Sequence, residues 1–203
     1  MPSLIRPFQP LLLPVSVIVF ALYIIPNINM QLNHIIVALT CATATYATDA
    51  DTVRADIKNI TRLLKALAED VNFVQPGGIG IARALQVQVD SVNIHEVLVK
   101  STKDAADSSP FGGNSLAVGL DLIGLQPKVS TTLESLTTHK KDLEELSVIV
   151  LSSLYQLKQN TDEFGNVAVK KLGPLEQALA PLVFQKIDQS FNDAIIAYGG
   201  KVT

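Results

Sequence analysis

The stretch Asp51–Val74, DTVRADIKNITRLLKALAEDVNFV, decides the fold. Val53, Ile57, Ile60, Leu64, Leu67, Val71 and Val74 recur at spacings of four and three, which puts them on one face of an α-helix. Arg54, Asp56, Lys58, Arg62, Lys65 and Glu69 fall on the other faces. Asp49 or Asp51 is placed to cap the start, and Pro76-Gly77-Gly78 stops the helix.

The same period continues downstream. A second helix is expected over about Ile79–Ala106, with Ile81, Leu85, Val89, Val92 and Val99 as its apolar stripe and Ile94 and Leu98 widening it. The run Ser108–Gly113 is the next turn. A third helix starts near Asn114 or Ser115, carries Leu122, Leu125, Val129, Leu133 and Leu136, and reaches a polar end at His139-Lys140-Lys141. Pro127 should kink or divide it. The fourth, about Leu143–Leu172, contains SVIVLSSLYQL at Ser147–Leu157, apolar almost all round, which predicts burial at the bundle centre or against a ligand. Gly165 is a candidate bend and Gly173-Pro174 a break. The fifth runs about Leu175–Tyr198, with Leu175, Leu179, Leu182, Val183, Ile187, Phe191, Ala194 and Tyr198 inward, a kink expected at Pro181 and an end at Gly199-Gly200. No alternating strand pattern appears. The fold class is therefore all-α, a bundle of five long amphipathic helices with short connections.

Upstream, the character of the chain changes at Asp49. The preceding residues carry one charge, Arg6. From Met30 the text reads MQLNHIIVALTCATATYA, a short apolar core followed by the small-residue triplets Ala42-Thr43-Ala44 and Thr45-Tyr46-Ala47. This is the pattern of a secretory signal peptide cleaved after Ala44 or Ala47, too short to span a bilayer. Residues 1–29 have three open accounts: an anchor over Phe8–Ile25, a longer signal, or a leader ahead of a true start at Met30. The cleavage site just after Met30 favours the last. The division is then 1–29 leader, 30–47 signal peptide and 48–203 helical domain, and the expected location is extracellular, secreted.

Composition bounds the function. The chain has 16 Lys and Arg, one of them Arg6, against 19 Asp and Glu, so nothing basic points to nucleic acid. The one cysteine, Cys41, falls in the signal, which leaves an exported domain without disulfides. Its stability rests on packing of Leu, Val, Ile and Ala, with no tryptophan and few large rings.

Catalytic and metal chemistry is not visible, and no cofactor is expected. His95 and His139 have no partner at ligand spacing. Gly113-Asn114-Ser115-Leu116-Ala117 lacks the last glycine and the preceding strand of a nucleophile elbow, so Ser115 or Asn114 reads as a helix cap. Gly78-Ile79-Gly80-Ile81-Ala82-Arg83 lacks the third glycine and the βαβ context of a dinucleotide site. Asn59-Ile60-Thr61 is a glycosylation sequon on the first helix beside stripe residue Ile60, which predicts a solvent-facing Asn59.

Taken in order, Asp56-Ile57-x-x-Ile60, Phe73-Val74 before Gly77-Gly78, Pro127-Lys128-Val129 with Leu133, Leu136 and Lys140, then Leu154, Leu157, Thr161 and Phe164, and finally Phe191, Ala194-Ile195 and Tyr198, resemble the fungal hydrophobic surface binding protein A family, which includes the cell wall galactomannoproteins. The resemblance implies a secreted or wall-associated, non-enzymatic helical protein. It implies fatty acids or other lipids between the helices, or a hydrophobic solid surface, as partner, and a secreted esterase as a further one. The chain's end at Gly199–Thr203 shows no Ser/Thr-rich stalk or hydrophobic tail, which favours the freely secreted type. Candidate lipid-lining positions are Phe73, Val92, Leu133, Leu154, Phe164, Leu182 and Phe191. The competing reading is a structural or antigenic wall mannoprotein without a ligand, whose stripes are ordinary core.

Overall fold

The computed structural model describes residues 49–77 and 80–202. The leader and signal assignments over 1–47, Cys41 included, and the Gly78-Ile79 pair lie outside them. Five α-helices follow one another: α1 (Ala50–Asn72), α2 (Ile81–Asp107), α3 (Ser115–Thr138), α4 (Ser147–Val169) and α5 (Pro174–Ala197). No described helix is long and apolar enough to cross a membrane.

Helix α1 forms as its pattern predicts. Asp49 caps it, its carboxylate accepting from the Thr52 amide at 2.9 Å. This bond holds the Asp49 carboxyl below its usual value. All seven stripe residues are buried. Asp56, assigned to an outer face, is buried as well.

The helices stand in a ring in the order α1, α2, α4, α5, α3 and back to α1. Cross-helix bonds give the directions. Arg83 to Asp70 (2.6 Å) and Lys100 to Asp56 (3.0 Å) run α1 and α2 antiparallel. Arg54 to Asp121 (2.7 Å), the Thr132 hydroxyl to the Leu64 carbonyl (3.1 Å) and Ser135 to Asn72 (2.7 Å) run α1 and α3 parallel. Ser153 to Gln88 (3.1 Å) and Gln156 to His95 (3.3 Å) run α2 and α4 parallel. Ser115 to Glu176 (3.0 Å) and the Tyr198 hydroxyl to the Leu136 carbonyl (2.8 Å) do the same for α3 and α5. Helix α3 therefore packs chiefly against α1 and α5, and lies between them, not against its sequence neighbours. The links Ser108–Asn114 and His139–Leu146 cross opposite ends of the ring. Each drives one apolar residue into the core, Phe111 and Leu143 respectively.

Four sequence readings need correction. On α2 the stripe Ile81, Leu85, Val89, Val92 and Val99 faces out, and Ala84, Val87, Ile94, Leu98 and Ala105 face in, with Asp90, Ser91 and Ser101 among them. Small side chains (Ala84, Ser91, Ser101 and Ala105) share the inner face with Val87, Ile94 and Leu98 where α2 packs between α1 and α4, and Ser91 and Ser101 return their hydroxyl hydrogens to the Val87 and Val97 carbonyls. Helix α4 begins at Ser147, after a 3₁₀ turn at Glu144–Leu146, and is not buried all round: Val148 is 79% exposed and Ile149 is also exposed. On α5 only the second half follows the expected inward face, with Ile187, Phe191, Ala194 and Tyr198 buried, whereas Leu175, Leu179 and Leu182 are exposed. Finally, of the kink or division expected at Pro127, division does not occur: α3 runs unbroken from Ser115 to Thr138. Pro127 is exposed, as is Ile123 four residues earlier, whose carbonyl loses its helical donor to the missing amide.

Gly165 meets a packing demand. A Cβ there would lie 2.2 Å from Cε1 of Phe184, so only glycine lets the α5 ring settle on α4.

Candidate functional site

Two apolar spaces stand out, and they differ in access. The first lies on the ring axis. Ile60, Leu64 and Leu67 of α1, Ile94 and Leu98 of α2, Leu125, Val129, Leu133 and Leu136 of α3, Leu157 of α4 and Phe191 of α5 surround it. Every helix contributes, since the inner stripe of each points to the same line. The space is about 20 Å³, roughly one water. Its polar margin is Thr132 and Thr161, whose hydroxyls are spent on backbone carbonyls, Thr132 on Leu64 and Lys128 and Thr161 on Leu157.

The second space is a groove of about 110 Å³ between the first halves of α3 and α5. Leu116, Leu120 and Ile123 form one wall and Leu175, Leu179 and Val183 the other, with Phe184 and Leu172 closing it. Gly119 forms part of its floor, against the stem of Glu176. Ser115 ties the two helix starts together. Its hydroxyl donates to the Glu176 carboxylate at 3.0 Å and accepts from the Gly173 amide. The serine considered as a nucleophile therefore has a carboxylate and a backbone amide for company, and no histidine.

The candidate lining residues are dispersed. Leu133 and Phe191 line the axis. Leu154 and Phe164 are fully buried in the core but do not bound that space. Phe73 is 68% exposed at the end of α1, where the Arg83 guanidinium lies 5.8 Å from its ring centre. Val92 faces out from α2, and Leu182 is 62% exposed on α5 and does not line the groove. Asn59 is half-buried, and its side-chain oxygen accepts from Arg62 at 2.8 Å. The groove itself was not anticipated. Its signal was present: on α3 Leu116, Leu120 and Ile123 form a second stripe beside Leu122, Leu125 and Val129.

The histidines are occupied by local partners, His95 by Asn160 and Gln156 of α4 and His139 by Asp142 at 2.9 Å. No group of His, Cys, Asp and Glu suited to a metal occurs among the described residues. The charged groups of note lie on the α1–α2 seam. Burial pushes the Asp56 carboxyl above its ordinary range, against the pull of Lys100, and neighbouring Asp104 pushes the same way. Asp90 behaves alike, raised by burial and by Asp70 against Gln86 and Arg83. One oxygen of each, Oδ2, is buried without a hydrogen-bond partner. Burial likewise raises the Tyr198 phenol.

Comparison with known proteins places this geometry. Solved structures share the fold at low identity. AFMP4P in complex with palmitic acid superposes with a TM-score of 0.71 at 24% identity, covering 74% of this chain and 99% of that one. Ligand binding domain 1 of Penicillium marneffei MP1, complexed with arachidonic acids, gives 0.66 at 15%, covering 71% and 94%. Domain 2 of the same protein, complexed with multiple arachidonic acids, gives 0.67 at 13%, covering 75% and 97%. No curated protein sequence matches significantly. The model of the family "Hydrophobic surface binding protein A" matches residues 50–170, from the first residue of α1 to just past the end of α4. With well over half its length matched, the chain belongs to the hydrophobic surface binding protein A family.

Proposed function

We propose that this chain is a secreted, non-enzymatic binding protein for apolar matter, taking long-chain lipids such as fatty acids between its helices or adsorbing to hydrophobic surfaces. The observation that carries the reading is the axis: five helices turn aliphatic side chains onto one line, in a fold shared with structures solved in complex with palmitic and arachidonic acids. Each methylene moved from water onto that line contributes about 0.8 kcal/mol, so an acyl chain needs no polar anchor to bind. Filling it requires the helices to part, because about 20 Å³ is far less than an acyl chain occupies. The α4–α5 seam is the natural place. It is the most sparsely packed of the ring, and an open crevice of about 380 Å³ between Tyr155, Lys158, Asp162, Asn166 and Asn192 lies along it. Glycosylation at Asn59 and association with a secreted esterase belong to the same reading.

The small size of the axial space favours a second reading, a structural wall glycoprotein that carries no ligand. One preparation separates the two. Native protein from culture medium, analysed by mass spectrometry, reports its N-terminus, any sugar on Asn59 and any retained lipid. The delipidated protein is then titrated with palmitate and exposed to a hydrophobic polymer. Uptake or adsorption is expected; a chain that retains no lipid, takes up none and stays off the polymer is the structural protein instead.

A further inference from the structure

The groove between α3 and α5 has a chemical character that the axis lacks. Its wall is aliphatic and aromatic with one exception, Glu176, and among the described residues no lysine, arginine or histidine lines it. Glu176 is held there. Its carboxylate accepts from Ser115, and its stem lies on Gly119, where an added Cβ would come within 3.0 Å of Cγ. An alkyl chain that ends in an ionised carboxylate meets a fixed like charge in this groove with no cation to offset it. A second copy seated groove to groove about a two-fold axis brings two Glu176 side chains together. An uncharged chain meets neither penalty and covers Leu116, Leu120, Leu175 and Leu179, all of which are exposed.

We infer that the α3–α5 groove is a second binding site, selective for uncharged hydrocarbon chains such as alkyl esters and fatty alcohols over ionised fatty acids. Glu176 acts as the specificity residue by repulsion. The site extends the lipid-binding reading but does not depend on the axis, because groove and axis are bounded by different side chains.

The test is a titration of methyl-labelled full-length protein with methyl decanoate and with decanoate at pH 8, followed by NMR. Methyl decanoate is expected to shift the Leu120 and Leu179 methyls, and decanoate to do so with about fivefold lower affinity, the size of a screened like-charge contact. Glu176→Gln should remove that difference by raising decanoate affinity while leaving the ester unchanged. Leu179→Asp should abolish the ester shifts at Leu120 while the Leu157 and Val129 methyls keep their positions, which verifies folding. Equal affinities of ester and acid for the unaltered groove, or Leu120 and Leu179 methyls that methyl decanoate leaves unmoved, overturn the inference. Shifts at Leu157 and Val129 report the axis separately, so failure of one site is distinguishable from failure of the other.

Discussion

Asp90 lies on the inner side of α2 with Oδ2 buried and unpartnered, and its neighbour Asp70 is also an acid. Because its carboxyl is raised in the folded chain, the folded state holds this proton to a higher pH than the unfolded state does. The contribution to stability is therefore complete below the ordinary carboxylate range and is lost as pH rises from that range through the raised folded value. Above that window the ionised, half-desolvated group is a constant cost. Asp90→Asn keeps the shape and the bond from Gln86, and turns a bare oxygen into a donor toward Asp70. The variant is expected to melt above the parent at pH 7 and level with it near pH 4; an equal or lower melting temperature at pH 7 contradicts the account. Phe164 offers a simpler measurement. It has no exposure at all, so Phe164→Ala leaves a void and should cost about 3–5 kcal/mol in a denaturant titration. Neither Asp90 nor Asp56 was legible as buried, because a carboxylate on a helix ordinarily belongs to the wet side, and only the partners across the seam reveal otherwise.

Among the elements, α1 was legible from spacing alone, since a single stripe of large aliphatics faces a single wall of core, and on α3 spacing gave the inner stripe Leu122, Leu125, Val129, Leu133 and Leu136. Helix α2 misled for a definable reason. Its large residues outnumber its small ones, and a count of hydrophobicity selects Leu85, Val89 and Val92, whereas the face packed between two helices holds Ala84, Ser91, Ser101 and Ala105 beside Val87, Ile94 and Leu98. Helix α5 misled because half of it belongs to a surface groove, where the apolar residues serve an exterior. Of the candidate site, Leu133 and Phe191 were within reach because they continue inner stripes. The groove depends on which helices become neighbours, and periodicity carries no information on that. Pro127 gives a prediction at this scale. In mid-helix it withholds a hydrogen bond from Ile123, so Pro127→Ala should restore it and raise stability by about 1–2 kcal/mol after the gain in unfolded-chain entropy is subtracted. Thermal melting checks this, and a loss of stability would mean that the local backbone is built around the proline.

For the whole molecule, a ligand that binds only the folded ring stabilises it by mass action, by about 2.7 kcal/mol at a hundredfold excess over the dissociation constant. A delipidated sample is accordingly expected to melt lower than the same sample resupplied with palmitate, and an unchanged melting curve at saturating palmitate would count against binding to the folded state. The order of the helices around the ring has another outcome, which concerns time. Helices α1 and α2, and α4 and α5, are consecutive antiparallel pairs with short connections, whose contacts close small loops. Helix α3 has its main partners, α1 and α5, far away in sequence and must find both after the chain has turned back on itself. Loop-closure entropy sets distant pairings late in folding. The two hairpins should then form early, and the arrival of α3 between them should close the ring. In stopped-flow experiments Leu125→Ala would speed unfolding and leave the refolding rate nearly unchanged, whereas Ile94→Ala in the first hairpin would slow refolding.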